Sequence, residues 1–161
     1  MKKLIAFALA ALAAPSAMAN CVPPWQTHFA CSIPAKDARA EFCRIRDTKA
    51  HPDKKEGYYS YSVGSKPTEL YFETDSIWFS TKDTEIYHPT DLTMSMGYAR
   101  DKWVYAFVIT QDKREADGVR DAEVRVYSST DEFSSSVKGN EVVKLYCDPA
   151  TILADFDSIA P

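Results

Sequence analysis

Three histidines are the side chains of this sequence best suited to metal or acid–base chemistry, and they fall in separate segments, at His28, His51 and His88. A zinc site would need them to converge together with a carboxylate. Isolated histidines in loops are ordinarily solvated. We therefore interpret these three as solvated side chains and predict neither a metal nor another cofactor.

Sequence motifs that mark common catalytic sites do not occur. There is no Gly-x-Ser-x-Gly elbow, no phosphate-binding glycine loop and no His-Glu-x-x-His helix. His28 and Cys31 are three residues apart, which on a strand places a nucleophile and its base on opposite faces. Carboxylate pairs such as Asp83 and Glu85 fall in polar loops, without the burial that a working acid needs. We predict that the protein is not an enzyme.

The first nineteen residues have the composition of an export signal. Lys2 and Lys3 precede an apolar run over 4–14 and a small-residue exit at Ala17-Met18-Ala19. This order is typical of a cleaved secretory signal. Cleavage after Ala19 is favoured over a lipid-anchored Cys21, because the residues before that cysteine are not the small ones that a lipoprotein signal requires. We predict a signal peptide over 1–19 and a single disulfide-bonded β domain over 20–161.

The four cysteines all follow the predicted signal, so they mature in an oxidising compartment, periplasmic or extracellular. Four cysteines allow three pairings. Cys31 and Cys147 are each in phase with the apolar residues of the strand that contains them, so both point towards the core. This favours Cys31–Cys147 together with Cys21–Cys43. The bonds are interpreted as structural, because the sequence has no Cys-x-x-Cys pair.

The net charge of the chain limits the classes of partner that it is expected to bind. Loss of the two leader lysines leaves 17 basic residues against 23 acidic ones, a net charge of −6 for the predicted mature chain. There is no basic stripe that could neutralise phosphates, so nucleic acid is not expected as a partner. A mildly acidic surface suits encounter with a basic envelope protein such as a hydrolase. No later segment is apolar enough to span a membrane.

The mature sequence reads as short strands separated by turns. This pattern predicts an all-β fold, a single antiparallel barrel or sandwich of about eight short strands. Both faces of 103–110 are apolar, which is typical of a strand covered on both sides. The polar segment 128–136 is predicted to be a loop. Asp148 and Pro149 precede Ile152, Leu153 and Phe156 at helical spacing, which predicts a short C-terminal helical turn.

Four aromatic residues form the candidate binding surface. By alternation, Tyr58 and Tyr71 lie on the polar side of adjacent strands, and Trp78 and Tyr87 flank the loop that follows. Exposed aromatic side chains anchor protein interfaces and stack on sugars. The alternative is that these residues only line a half-covered sheet.

Several short motifs of the chain resemble those of a group of small uncharacterised bacterial secreted proteins. The motifs are Phe29-Ala-Cys31, Glu41-Phe-Cys43, Tyr59-Ser-Tyr61-Ser, Lys66-Pro67-Thr-Glu69-Leu70 and Lys144-Leu-Tyr-Cys147. More distantly, the placement of one cysteine in an early strand and another in the last strand is similar to that in the periplasmic lysozyme-inhibitor proteins, which are small β-barrels. That resemblance implies inhibition of a cell-wall hydrolase. The Ser-Gly-x-x-Tyr inhibitory loop of those proteins does not occur here.

From these observations we predict a non-catalytic periplasmic or secreted protein that binds another protein, such as a cell-wall hydrolase or a toxin. Two alternatives remain open. One is a module that binds a small ligand or a glycan through the outward aromatic residues. The other is a hydrolase of envelope polymers with a site assembled from scattered acidic residues and histidines.

Overall fold

The computed structural model describes residues 21–155, apart from 67, 81–90, 113, 115–118 and 136–138. The predicted signal peptide over 1–19 lies outside the described residues. So do the candidate aromatic residue Tyr87 and the histidine at position 88.

Ten antiparallel strands and one α-helix make up the regular structure of the described residues. The strands are β1 (Gln26–Ile33), β2 (Ala38–Arg44), β3 (Gly57–Val63), β4 (Leu70–Thr74), β5 (Ile77–Ser80), β6 (Asp91–Arg100), β7 (Trp103–Asp112), β8 (Val119–Tyr127), β9 (Val143–Tyr146) and β10 (Leu153–Ala154), and the helix is α1 (Thr130–Ser135). The first sheet has the strand order β10-β1-β2-β3-β4, and the second sheet has the order β5-β6-β7-β8-β9. The all-β prediction is confirmed, and of its two forms the structure is the sandwich.

The core lies between the two sheets and follows from the alternation of apolar residues along each strand. Phe29, Phe42 and Phe107 are fully buried at its centre. The rings of Phe29 and Phe107 stack across the two sheets with their centroids 4.7 Å apart. At one side of the sandwich the chain crosses between the sheets through Asp75 and Ser76, which separate β4 from β5. At the other side it crosses between β9 and β10.

The predicted short C-terminal helical turn is present as a single turn, but the helical spacing assigned to Ile152 and Leu153 does not continue it, and Phe156 lies outside the described residues. Pro149–Thr151 forms one turn of 3-10 helix, and the Asp148 side chain accepts a hydrogen bond from the Ala150 backbone N–H at 3.0 Å. The chain then pairs with β1 as β10 instead of continuing as a helix. The free edge of β1 offers backbone partners that a short amphipathic turn lacks.

The segment 128–136, predicted as a loop, contains α1. Ser129 caps it by accepting a hydrogen bond from the Glu132 backbone N–H at 3.1 Å, and the Glu132 carboxylate accepts one from the Ser128 backbone N–H at 3.1 Å. This reciprocal arrangement resembles a capping box. Phe133 then packs on the outer face of the second sheet, against Val104 and other residues. The prediction that β7 is covered on both faces is therefore confirmed, and α1 provides the second cover.

Candidate binding surfaces

Two disulfides link the described cysteines, Cys21 to Cys43 and Cys31 to Cys147. These are the pairs favoured by the alternation of apolar residues. Cys31–Cys147 joins β1 of the first sheet to the end of β9 in the second sheet, next to a hydrogen bond from the Asp148 backbone N–H to the Ser32 carbonyl at 2.8 Å. Two disulfides indicate that the protein folds in an oxidising, extracytoplasmic environment.

Tyr58 is not part of an exposed surface, which corrects its assignment to the candidate binding surface. Its side chain is only 4% exposed. The residues that precede β1 cross the outer face of the first sheet here: the Tyr58 hydroxyl accepts a hydrogen bond from the Val22 backbone N–H at 3.1 Å, and the Trp25 ring meets the Tyr58 ring edge-on at 5.3 Å. Alternation placed Tyr58 on the correct face, but it did not reveal the segment that covers that face.

Tyr71 lies beside Tyr58 and is 49% exposed. The two ring centroids are 5.2 Å apart, and the Tyr71 hydroxyl donates a hydrogen bond to a Glu73 carboxylate oxygen at 2.8 Å. Partial burial and this bond to Glu73 raise the pKa of Tyr71 above its ordinary value. Tyr71 therefore presents a neutral aromatic ring on the outer face of the first sheet.

Trp78 is 43% exposed, but it lies on the opposite side of the sandwich from Tyr71. Its neighbours Ile77 and Phe79 pack against the core, as Phe72 does beside Tyr71. By alternation, Trp78 and Tyr71 each point away from the core, on the outer faces of different sheets. Of the three candidate aromatic residues that the structure describes, Tyr58 and Tyr71 are neighbours and Trp78 lies apart, so the three do not form one surface.

His28 is buried, contrary to the interpretation of the histidines as solvated side chains. Its side chain is 1% exposed, and its Nδ1 atom lies 2.8 Å from the Tyr98 hydroxyl. A β-bulge between Thr27 and Phe29 explains the position, because the extra residue in β1 lets two successive side chains turn towards the core. His28 is a polar residue within the core. His51 lies in a loop and is partly exposed.

Within the described ranges, no three histidine, cysteine or acidic side chains are grouped so that they could hold a metal ion. Similarly, none of the helices in that part of the chain has the length and apolar character needed to cross a membrane. A shallow cleft of about 240 Å³ lies at one end of the first sheet, between the β1–β2 turn and Gly64. The guanidinium of Arg39, which lines this cleft, is already paired with the Glu41 carboxylate at 2.9 Å.

Of the seven large apolar side chains that are exposed in the described residues, four lie at one side of the sandwich. Val142, Val143 and Tyr146 are 56%, 41% and 64% exposed, and all three lie on or beside β9, the edge strand of the second sheet. Leu153, 36% exposed, lies on β10, the edge strand of the first sheet on the same side. The sequence does not mark this strand as a site, because its edge position depends on the order of strands in the sheet.

A half-buried ion cluster holds β9 to β8. The Glu123 carboxylate contacts the Arg125 guanidinium at 2.7 Å and the Lys144 ammonium at 3.0 Å. The Lys144 ammonium also lies 5.2 Å from the centre of the Tyr146 ring. Burial by itself would lower the pKa values of Arg125 and Lys144, but Glu123 outweighs it, together with Tyr127 at Arg125, and both pKa values are raised. The Arg125 and Lys144 side chains therefore remain charged and bound to Glu123.

Comparison of the chain with protein-family models, with curated proteins and with solved structures finds no match in any of the three.

Proposed function

We propose that this is a non-catalytic periplasmic or secreted protein that binds another protein through the β9 edge, defined as Val142, Val143 and Tyr146 with the backbone of β9. The single observation that carries the proposal is the exposure of these three apolar side chains on an edge strand. By alternation Val142 and Tyr146 point to the outer face and Val143 points to the side of Leu145, so apolar groups are exposed on both sides of this edge. Exposed apolar residues grouped in this way are characteristic of interaction sites.

The backbone of β9 supports the same proposal. Within the described residues, β9 pairs with β8 on one side only, so its other side presents backbone N–H and C=O groups. Edge strands are commonly protected by proline, by bulges or by outward charges. Here the one basic side chain of β9, Lys144, is held by Glu123. An extended segment of a partner could add to this edge, with backbone hydrogen bonds providing affinity and the apolar side chains providing specificity.

The charge of the chain favours a basic partner. The chain carries 23 acidic residues against 19 basic ones. Long-range attraction would speed encounter with a basic protein at low ionic strength. A cell-wall hydrolase, the partner implied by the resemblance described above, is the class that we propose to test first.

The experiment compares the wild-type protein with a Val142→Lys/Tyr146→Ser variant in two assays. The first is capture of partners from an envelope extract, and the second is inhibition of a lysozyme-class hydrolase. We expect the variant to lose both activities by about tenfold or more, since loss of two central contacts commonly costs more than 1.4 kcal/mol of binding free energy.

Trp78→Ala is the matched control, because Trp78 is an exposed aromatic residue on the edge strand β5 at the other side of the second sheet. This variant should bind as the wild type does. Equal binding by the wild type and the β9 variant would exclude the β9 edge. If the wild type captures nothing and inhibits no hydrolase, the proposed function itself is wrong.

Glycan binding is a second candidate, and the exposed Tyr71 ring beside Glu73 favours it. An aromatic ring flanked by a hydrogen-bonding carboxylate is suited to stacking on a sugar. Titration with soluble cell-wall oligosaccharides, monitored by thermal stability, should then show a rise in melting temperature that Tyr71→Ala abolishes and Tyr146→Ala does not. An unchanged melting temperature in the wild type would exclude this candidate.

A further inference from the structure

The segment 21–25, which we call the N-terminal strap, is fastened to the outer face of the first sheet by one disulfide and two hydrogen bonds. Cys21 is bonded to Cys43 in β2, the Val22 backbone N–H donates to the Tyr58 hydroxyl, and the Trp25 indole N–H donates to the Lys55 carbonyl at 3.0 Å. Trp25 also packs in a small apolar cluster of its own. The strap therefore has an apolar anchor at Trp25 and a covalent one at Cys21.

The two disulfides differ in their accessibility. Cys21 is partly exposed, whereas Cys43 is fully buried. Both cysteines of the other bond are buried, Cys31 at 0% and Cys147 at 8% exposure. Thiol–disulfide exchange requires that a thiolate reach one of the sulfur atoms, so access strongly affects the rate. By residue exposure, the Cys21 side of the first bond is the most accessible part of the two disulfides to a dissolved dithiol.

We propose that Cys21–Cys43 is a reducible latch, whose opening by a dithiol releases residues 21–24 and uncovers the Tyr58 hydroxyl while Cys31–Cys147 stays oxidised. The dithiol thiolate attacks the Cys21 sulfur, and the bond to the Cys43 sulfur breaks and leaves a thiolate that takes up a proton. The second dithiol sulfur then displaces the Cys21 sulfur. The products are two protein thiols and one oxidised dithiol, a transfer of two electrons and two protons.

Release of the strap would change the surface beside Tyr71. The Tyr58 ring lies 5.2 Å from the Tyr71 ring. With the strap in place, the Tyr58 hydroxyl accepts a hydrogen bond from the Val22 backbone N–H. Without residues 21–24, the two tyrosines would present adjacent hydroxyls on the outer face of the first sheet. Trp25 would keep its place through its apolar contacts and its bond to Lys55. Opening of the latch would thus expose the Tyr58 hydroxyl beside Tyr71, which is already exposed.

The first test follows the order of bond opening. Wild-type protein is titrated with dithiothreitol, quenched with acid, alkylated and mapped by mass spectrometry. We expect alkylated Cys21 and Cys43 to appear at least roughly tenfold sooner than alkylated Cys31 and Cys147, in line with their difference in access. Simultaneous opening of the two bonds, or earlier opening of Cys31–Cys147, would overturn the proposal.

The second test measures exposure of Tyr58 without any reductant. Cys21→Ala/Cys43→Ala protein is labelled at tyrosine hydroxyls with N-acetylimidazole and mapped by peptide. We expect labelling of Tyr58 to rise about tenfold or more over the wild type, because without the disulfide the Val22 backbone is held to the Tyr58 hydroxyl only by a hydrogen bond, whose net contribution to stability is small. Tyr146, exposed on the second sheet, and Tyr98, fully buried, serve as internal references that should not change.

If Tyr58 is labelled equally in both proteins while Tyr98 stays protected, the strap holds without its disulfide and the latch is excluded. If Tyr98 also becomes labelled, the variant has lost its core. The wild type is then labelled after partial reduction with Cys31–Cys147 intact, and unchanged Tyr58 labelling in that sample excludes the latch as well.

Discussion

His28 and Tyr98, from different sheets and seventy positions apart, meet inside the sandwich with 2.8 Å between the histidine Nδ1 atom and the tyrosine hydroxyl. The contact exists because a bulge in β1 turns His28 towards the core. The same histidine meets the Phe107 ring edge-on at 5.4 Å. A polar pair therefore joins the two sheets at a level otherwise filled by aromatic rings.

Tyr98→Phe should destabilise the protein by about 1–3 kcal/mol, because it removes one partner of a buried hydrogen bond without creating a large cavity. Urea denaturation measures the loss in free energy of unfolding. Tyr146→Phe is the matched control, since the Tyr146 side chain is 64% exposed, and it should change stability by less than about 0.5 kcal/mol. Equal stability of the two variants would show that the buried pair contributes nothing.

Gly97→Ala should cost about 1–3 kcal/mol, because the added methyl group would meet the Val104 side chain and lie 3.3 Å from the Phe133 ring beneath α1. The measurement is a double-mutant cycle with Val104→Ala. If the clash is the cause, Val104→Ala should be less destabilising in the Gly97→Ala background than in the wild type. Additive losses would refute this explanation.

Removal of Cys31–Cys147 should cost more than removal of Cys21–Cys43. The bonded residues are 116 positions apart in the first case and 22 in the second. In the chain-entropy model these separations correspond to roughly 5 and 3 kcal/mol. Guanidinium denaturation of Cys31→Ala/Cys147→Ala and Cys21→Ala/Cys43→Ala measures both losses. A larger loss for the shorter loop would contradict the prediction.

Asp75, in the turn that joins the two sheets, is bonded to the residues just before β3, and the strength of these bonds depends on pH. It accepts hydrogen bonds from the Lys55 ammonium and, at 2.9 Å, from the Glu56 backbone N–H, and these bonds lower its pKa below the ordinary 3.8. The stabilisation is therefore complete above pH 3.8 and is lost as the pH falls through the lower pKa of the folded state. Asp75→Asn should be less stable than the wild type at pH 7, and the difference should vanish below that pKa.

The contribution is small because both side chains are exposed and the pair is screened by salt. Thermal melts of both proteins between pH 2 and 7, at low ionic strength, measure it. A stability difference that persists at pH 2 would indicate a structural role for Asp75 other than the charged carboxylate.

Alternation along the strands predicted most of this fold. It placed Cys31 and Cys147 towards the core and predicted that β7 is covered on both faces. It could not predict the burial of Tyr58, which depends on the strap crossing the sheet, or that of His28, which depends on one extra residue in β1. Both effects arise from tertiary structure, and no periodic pattern of residue types in the sequence signals them.

Local sequence signals were available for α1 and were missed. Ser129 and Glu132 have the spacing of a capping box, although the segment is polar and its single buried residue, Phe133, makes no periodic stripe. The β9 edge could not be found in this way. Val142, Val143 and Tyr146 read as an ordinary strand, and only the order of strands in the sheet leaves them exposed.

The two disulfides interleave along the chain, since Cys31 lies inside the loop closed by Cys21 and Cys43. During synthesis, Cys21 and Cys31 emerge first, and an oxidant that joins neighbours in order of appearance would produce the wrong bond between them. Cys31 must instead wait for Cys147, made 116 residues later. With such an oxidant, maturation of this protein would need an isomerase to reshuffle the early bond into the two native ones.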